Sequence, residues 1–283
     1  SSGKILGGAG TYIGLSASLF DTQSSIISIV GGDFEKENLE MLNSKGINTD
    51  SIEIVPKGKT FYWKGKYHKD WNKRDTLSTQ LNVLADFNPI VKDENKNAEI
   101  IVLGNLHPLV QNTVLDQVEN NKKCVILDTM NFWMDNALDE LMKVIGRVDI
   151  IIINDEEALQ LSGKNTLFAA AKEILSFGPT QIVIKKGEHG AMLFEDGEFF
   201  TVPAFPVEKV KDPTGAGDSF AGGFAGYLSQ IDEIDFEGMK LAVVNGTVMA
   251  SFCVEGFGTA VMKNLDKETV DNRLKEFKKY TRY

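Results

Sequence analysis

Short apolar runs that do not alternate with polar residues constrain the fold of this chain most strongly. Four such runs lie at 99–103, 123–127, 149–153 and 181–185, and helical patterns separate them. A strand that is apolar on both faces must be covered on both faces, as in a parallel sheet between helices. The sequence therefore predicts an α/β fold in which a central, mostly parallel sheet lies between two layers of helices.

Residues 51–87 have a different composition. They carry two β-type stretches, 51–55 and 60–67, joined by a turn at 56–59. The segment is either an edge hairpin or a lid over a ligand site. We expect an α/β domain formed by 1–50 and 88–283 and a β-rich lid formed by 51–87. Aromatic residues are interleaved with charged ones in this lid segment: Phe61, Tyr62, Trp63, Tyr67 and Trp71.

The charge balance limits the partners. Among 283 residues, 30 Lys and Arg face 40 Asp and Glu, so the formal net charge is −10. This balance argues against a nucleic-acid or membrane-surface partner, because both need clustered basic residues. No stretch reaches the roughly 20 apolar residues of a membrane-spanning helix. Cys124 and Cys253 lack a pairing pattern, which fits a reducing compartment and a cytoplasmic location.

The segment at 211–224 combines small residues with the start of a helix. Gly215, Ala216 and Gly217 precede a helical run that extends through Leu228. A helix N-terminus presents unpaired N–H groups and about half a positive charge, so it binds anions without cationic side chains. Asp218 falls in the first turn. It either complements the helix dipole or acts as a general base beside a phosphate site.

Residues 212–218 resemble the signature of the ribokinase-like (PfkB) family of carbohydrate and nucleoside kinases. Segments 7–10, 30–49, 154–157 and 185–190 resemble further family motifs in the same order, so the resemblance covers essentially the whole chain. It implies a ribokinase-like three-layer α/β/α domain with a small β lid. It also implies an ATP- and Mg²⁺-dependent kinase that phosphorylates a hydroxymethyl group of a small sugar.

The resemblance also implies roles for individual residues. Asp218 would be the catalytic base, and Gly215, Ala216 and Gly217 would form the anion hole for the γ-phosphate. Glu157 would hold Mg²⁺ through water, and Asp212 and Thr214 would bind a monovalent cation such as K⁺. Acceptor contacts would come from Gly7, Gly8, Tyr12, Asp33 and Asp218. ATP contacts would come from Asn154, Lys185, Gly187, Gly190, Asn245 and Gly256.

Several of these residues also have a purely structural interpretation. Asn154 is equally suited to cap a helix, and Glu157 would then lie on the surface. Gly187 and Gly190 are typical of a tight turn between two strands. Asn245 would serve equally well as a hydrogen-bonding residue of the core. These alternatives stay open on the sequence alone.

The acceptor is less well defined, because the chain departs from the family pattern. Tyr12 stands where the family's sugar kinases usually carry Asn, and a Tyr ring stacks instead of offering an amide. Residues 128–131 resemble a family Asp-x-Asn motif with one extra residue. Tyr12 and the lid aromatics therefore favour a nucleoside acceptor as the alternative to a sugar. Family chains also carry a strand before the paired glycines, and we expect one upstream of Gly7.

Two further hypotheses concern the class of the protein and its assembly. A chain with this fold would also serve as a non-catalytic nucleotide or metabolite sensor, since fold alone does not determine function. Asp218 argues against a sensor, which has no need of a general base. The aromatic residues of the lid predict a homodimer formed through the lid, because large exposed apolar patches tend to be covered.

Overall fold

A six-stranded sheet forms the centre of the computed structural model, which describes residues 3–68, 74–119 and 122–282. Trp71 lies outside these residues. The strands are β1 Ser24–Ser25, β2 Ser28–Gly31, β3 Ile47–Asn48, β4 Ile52–Val55, β5 Tyr62–Tyr67, β6 Arg74–Gln80, β7 Ile100–Leu103, β8 Cys124–Asp128, β9 Ile150–Asn154, β10 Gln181–Lys185, β11 Ala191–Glu195 and β12 Glu198–Val202. The order of the central sheet is β12-β11-β10-β9-β8-β7.

The helices connect and cover these strands. No helix within the described ranges combines the length and the apolar content that a bilayer-spanning segment needs. The helices are α1 Ala9–Ala17, α2 Lys36–Ser44, α3 Asp93–Lys96, α4 Pro108–Leu115, α5 Asn131–Asn136, α6 Leu138–Ile145, α7 Asp155–Ser162, α8 Leu167–Leu175, α9 Ala216–Leu228, α10 Phe236–Cys253 and α11 Lys267–Tyr280.

The central sheet confirms the predicted α/β class. Strands β7 to β10 are parallel neighbours, and β11 and β12 continue the sheet in antiparallel pairs. The four apolar runs in the sequence are these four parallel strands. Successive residues of β8 and β9 belong alternately to two separate apolar clusters, one packed with α9 and α10 and the other with α6 and α8. The sheet is therefore the middle of three layers.

Smaller sheets form the remainder of the β structure. Strands β1 and β3 pair in parallel, as do β2 and β4. Strands β5 and β6 form an antiparallel ladder with a register shift between Lys64 and Gly65. Within the segment 51–87, β4 therefore pairs with a strand of the segment 1–50. The division into a kinase domain and a lid, and the homodimer through the lid, stay predictions.

Helices α1 and α9 pack against each other in a parallel orientation. A Cβ on Gly215, at the start of α9, would meet Tyr12, and one on Gly222 would lie 2.3 Å from the Ile13 carbonyl oxygen. Further along, Gly226 lies against Phe20. The contacts advance together along both helices, so the two N-termini lie at the same end. Both helix dipoles therefore place their positive ends there.

The close approach of α1 and α9 predicts that Gly222→Ala lowers the free energy of unfolding. The added methyl would overlap the backbone of Ile13, and such overpacking costs about 1–3 kcal/mol. Urea unfolding measures the effect. Gly146→Ala is the matched control, because a Cβ there meets its neighbours at an ordinary 3.6 Å. A gain of about 1 kcal/mol for Gly222→Ala, as in an exposed helix, would contradict the packing.

Candidate functional site

The N-terminus of α9 is the centre of the candidate site. Gly215 caps the helix in the left-handed conformation, with φ of 82° and no side-chain cap. The first hydrogen bond of the helical ladder runs from Ser219 N to the Gly215 carbonyl at 2.8 Å. The N–H groups of residues 216–218 therefore precede the ladder, and that of Ala216 donates to the Pro213 carbonyl at 3.1 Å. Asp218 lies half-buried in this first turn.

The side chain of Tyr12 packs against this loop. Its side chain is 1% exposed, and a Cβ on Gly215 would lie 2.4 Å from the Tyr12 Cζ. Burial is the main cause that raises the pKa of the Tyr12 phenol above its ordinary value, and the negative charges of Asp212 and Asp218 add to it. The structure thus places Tyr12 under the glycine loop as a neutral phenol. Its predicted contact with the acceptor stays a prediction.

Asp212 and Thr214 hold the loop to its surroundings. The Asp212 carboxylate is 8% exposed and accepts from Thr214 N at 3.0 Å and from Gly258 N at 3.2 Å. The Cys253 thiol donates to the Thr214 carbonyl at 3.4 Å, and burial raises its pKa to about 12. The Thr214 hydroxyl and the Tyr67 hydroxyl of β5 are 3.1 Å apart. These contacts fix the loop, while its binding of a monovalent cation stays a prediction.

Three neighbouring parallel strands each end in a polar residue, and one of these residues contacts this loop. Asp128 ends β8, Asn154 ends β9 and Lys185 ends β10, and the last two are register partners. Lys185 Nζ donates to Asp128 Oδ1 at 3.2 Å. A Cβ on Gly217 would lie 3.0 Å from the same nitrogen. The ends of the parallel strands and the N-terminus of α9 therefore meet at Lys185.

The electrostatics of this meeting point keep Lys185 charged. Burial acts to lower the pKa of the ammonium, but the carboxylates of Asp128, Glu157 and Asp218 outweigh it, so that the pKa is raised. Because the pKa of a free Lys is already about 10.4, the side chain is an ammonium at neutral pH. The site thus contains a permanent cation beside three acidic groups.

Asn154 and Glu157 form a capping box at the start of α7. The Asn154 side chain accepts from Glu157 N, and Glu157 Oε2 accepts from Asn154 N, both at 2.8 Å. Asn154 is therefore the helix cap that the structural interpretation predicted. Glu157 is 7% exposed, so it does not lie on the surface.

The donor set limits how Mg²⁺ would be held. Over residues 3–68, 74–119 and 122–282, no group of three or more His, Cys, Asp or Glu side chains is placed to hold a metal ion. Mg²⁺ usually keeps several waters and takes one or two protein carboxylates. Glu157, whose charge acts on Lys185, fits a site of this kind.

The other predicted nucleotide residues lie in structural positions. Gly187 and Gly190 form the turn between β10 and β11, both at positive φ. Asn245 is buried in α10 and donates to the Leu241 carbonyl at 2.8 Å. Gly256 is buried after α10, where a Cβ would meet Val261 at 2.6 Å. Their contacts with ATP stay predictions.

The predicted acceptor residues lie at the start of α1 and beside the lid. Gly8 caps α1 at φ of 94°, and Gly7 precedes it. The exposed Asp33 accepts through Oδ1 from the backbone N–H and the hydroxyl of Thr60, at 2.7 and 2.8 Å. These hydrogen bonds are the first cause that lowers the pKa of the Asp33 carboxyl. Asp33 thus ties β2 to the chain that enters β5.

Sequence reasoning missed an aromatic cluster after β7 and β8. The ring of Trp133 lies 5.0 Å from that of His107 and 4.9 Å from that of Phe132, edge to face in both pairs. Trp133 Nε1 donates to Asn105 Oδ1 at 2.8 Å. This cluster of Asn105, His107, Phe132 and Trp133 lines a cleft of about 2930 Å³ with Thr214. The sequence did contain a signal for this cluster, because aromatic residues follow shortly after two buried strands.

Comparison with known proteins assigns the chain to a family. The model of the pfkB family carbohydrate kinase matches residues 3–270. The chain belongs to the PfkB family. It is accordingly a kinase of the sugar and nucleoside class, and the ribokinase-like fold and ATP dependence are those of PfkB proteins.

Individual PfkB relatives carry different names. A cytidine kinase from Thermococcus kodakarensis is 31% identical over 228 residues, which are 78% of this chain and 80% of that protein. A deoxyribokinase from Salmonella typhi is 30% identical over 268 residues, 89% of this chain and 82% of that protein. A candidate ribokinase II from E. coli, solved with ATP and Mg²⁺, has the same fold with a TM-score of 0.80 and 20% identity, covering 95% of this chain and 89% of that one.

The contact between Gly215 and Tyr12 predicts a loss of nucleotide affinity in Gly215→Ala. Any side chain there meets about 1–2 kcal/mol of left-handed strain and also displaces Tyr12. We expect AMP-PCP to bind about 10- to 100-fold more weakly, the factor for one hydrogen bond to a charged group. Calorimetric titration measures it.

Gly163→Ala is the control for this substitution. Gly163 has a φ of 65° with nothing within 4 Å of a Cβ, so its variant carries the strain without the collision. Equal AMP-PCP affinity in the two variants would contradict a role of the loop in holding phosphate.

Proposed function

We propose that this PfkB chain transfers the γ-phosphoryl group of ATP to a hydroxymethyl group of a small sugar or of a nucleoside, with Asp218 as the general base. The observation that carries the proposal is the position of Asp218 in the first turn of α9. It directly follows the loop of Gly215, Ala216 and Gly217, and its charge acts on both Tyr12 and Lys185. A general base and an anion site are the two elements that phosphoryl transfer needs.

Each group of the site would have a separate role in the phosphoryl transfer. The acceptor hydroxyl oxygen attacks the γ-phosphorus while its proton passes to the Asp218 carboxylate. The N–H groups at the start of α9 stabilise the charge on the transferring group, and ADP leaves with the electrons of the broken P–O bond. Mg²⁺, when bound, supplies further charge neutralisation and would be held through water by Glu157.

The lid would exclude water from this reaction. The contact of Tyr67 with Thr214 joins β5 to the glycine loop across 3.1 Å. A closed lid keeps water from competing with the acceptor hydroxyl and limits the hydrolysis of ATP. The same contact supports the proposal that the 51–87 segment acts as a lid.

Asp218→Asn tests the base directly. Asn cannot take the proton, so we expect kcat to fall by about 10²–10⁴-fold, while the affinity for AMP-PCP stays within about threefold. A coupled ADP assay with a panel of sugars and nucleosides measures turnover. Asp139→Asn is the matched control, since Asp139 lies in the first turn of α6 and is exposed.

Two outcomes would contradict the proposal. Undiminished turnover in Asp218→Asn would leave Asp218 as a residue that complements the helix dipole. ATP binding by the parent chain without ADP formation, for every acceptor, would favour the sensor.

A nucleoside acceptor is the second candidate, and the aromatic cluster favours it. His107, Phe132 and Trp133 line the same cleft as Thr214, the residue directly before the glycine loop. They follow β7 and β8, whereas Asn154 and Lys185, two of the groups proposed for ATP, end β9 and β10. The cluster would therefore lie on the acceptor side, where its rings would stack on a base. The cytidine kinase relative supports a nucleoside, and the deoxyribokinase relative supports a sugar.

Trp133→Ala separates the two acceptors. If the base stacks on Trp133, KM for a nucleoside rises about 5- to 150-fold, because stacking contributes about 1–3 kcal/mol per base. KM for ribose or deoxyribose stays unchanged in steady-state assays. The control is Phe199→Ala, which removes an exposed ring on β12 at the opposite edge of the sheet. Turnover of sugars alone by the parent chain would exclude the nucleoside.

A further inference from the structure

The guanidinium of Arg273, on α11, is held from several sides at the end of α10. The side chain is 17% exposed, and its Nη2 donates to Glu255 Oε2 at 2.9 Å. Its Nη1 donates to the Ser251 hydroxyl at 3.1 Å. Its Cζ lies 3.5 Å from the centre of the Phe252 ring and 4.8 Å from that of the Phe205 ring. One side chain therefore contacts both the last turn of α10 and the segment that precedes the glycine loop.

This set of contacts needs a planar cation. A guanidinium stacks on aromatic rings and presents several N–H groups in a rigid fork, whereas an ammonium is a compact point charge that does neither. A cation over an aromatic face is attracted more strongly where water is excluded, and the low exposure of Arg273 meets that condition. A Lys at this position would keep the positive charge near the C-terminus of α10 and lose the geometry.

The end of α10 also holds the chain that leads into the glycine loop. The Val254 carbonyl accepts from the backbone N–H groups of Lys211 and Asp212, at 2.8 and 3.4 Å. The Cys253 thiol donates to the Thr214 carbonyl at 3.4 Å. These hydrogen bonds lie within one helical turn of the groups that the guanidinium contacts. A shift of the end of α10 would therefore reach the glycine loop.

We propose that Arg273 is a positioning residue for phosphoryl transfer, which acts through the end of α10 on the glycine loop. The inference rests on the proposed function, because the loop of Gly215, Ala216 and Gly217 is the anion site proposed there. Arg273 forms no covalent bond, moves no proton and acts without contact to ATP or the acceptor. It fixes the loop, and stabilisation of the transferring group depends on donors held in place beforehand.

Arg273→Lys tests the geometry of this contact, since it keeps the charge and removes the planar fork. We expect AMP-PCP to bind about 10-fold more weakly, as for the weakening of one hydrogen bond to a charged group. We expect kcat to fall by about 10- to 100-fold, the effect of a small misplacement far from the reacting atoms. KM for the acceptor stays unchanged. Calorimetric titration and the coupled ADP assay are run where every variant is fully folded by circular dichroism.

Arg147→Lys is the matched control. Arg147 makes the same kinds of contact, an ion pair with Asp116 at 2.8 Å and a hydrogen bond to Asn112 at 2.9 Å. It lies shortly before β9, at the amino end of that strand and so at the edge of the sheet opposite to the glycine loop. We expect this variant to keep the AMP-PCP affinity and the kcat of the parent.

Ser251→Ala is a milder variant of the same contact. It removes the hydroxyl that accepts from Arg273 and leaves the ion pair with Glu255. We expect its AMP-PCP affinity and its kcat to lie between those of the parent and those of Arg273→Lys. A purely structural role would lower the melting temperature alone. Parent affinity and parent kcat in the folded variants therefore overturn the proposal, and Ser251→Ala decides alone if Arg273→Lys does not fold.

The outcomes also distinguish this inference from the proposed function. The affinity for AMP-PCP needs no turnover, so it tests the role of Arg273 even where the proposed reaction is wrong. Undiminished turnover in Asp218→Asn overturns the general base, whatever the Arg273 variant does. Parent affinity for AMP-PCP and parent kcat in Arg273→Lys overturn the positioning role, even where Asp218→Asn has lost its turnover.

Discussion

The parallel packing of α1 on α9 is the contact on which the site depends. Gly222 lets the two backbones approach, and Tyr12 then supports Gly215 at the start of α9. A larger residue at either glycine would force the helices apart and move the loop. The N-terminus of α9 lies against Lys185 at the carboxyl end of β10, and that of α1 lies against Gly104, directly after β7. Ligand crevices form at that edge of open α/β sheets.

The net charge of the chain does not describe the local electrostatics of the candidate site. A formal net charge of −10 argues against a broad basic surface, yet the helix N-terminus at the site is suited to an anion. Backbone N–H groups and the N-terminus of α9 do not enter a count of basic residues, whereas the ammonium of Lys185 does. That ammonium donates a hydrogen bond to the Asp128 carboxylate.

Local patterns in the sequence predicted the sheet and the glycine loop. They did not predict contacts between residues that lie far apart in the chain. The strands were predictable because continuous apolar runs have few structural solutions. The ion pair joins residues 128 and 185, and the aromatic cluster joins residues that follow two different strands. The burial of Tyr12 was equally inaccessible, because it depends on a helix about 200 residues later. Such contacts follow from the topology of the sheet, and no local spacing encodes them.

A crystal structure of the chain with AMP-PCP and Mg²⁺ is the most direct test of this site. We expect the γ-phosphoryl oxygens within hydrogen-bond distance of backbone N–H groups at the start of α9 and of Lys185 Nζ. The Asp218 carboxylate should face the γ-phosphorus from the acceptor side. A nucleotide bound with its γ-phosphoryl group away from α9, or with Asp218 turned from it, would contradict the arrangement described above.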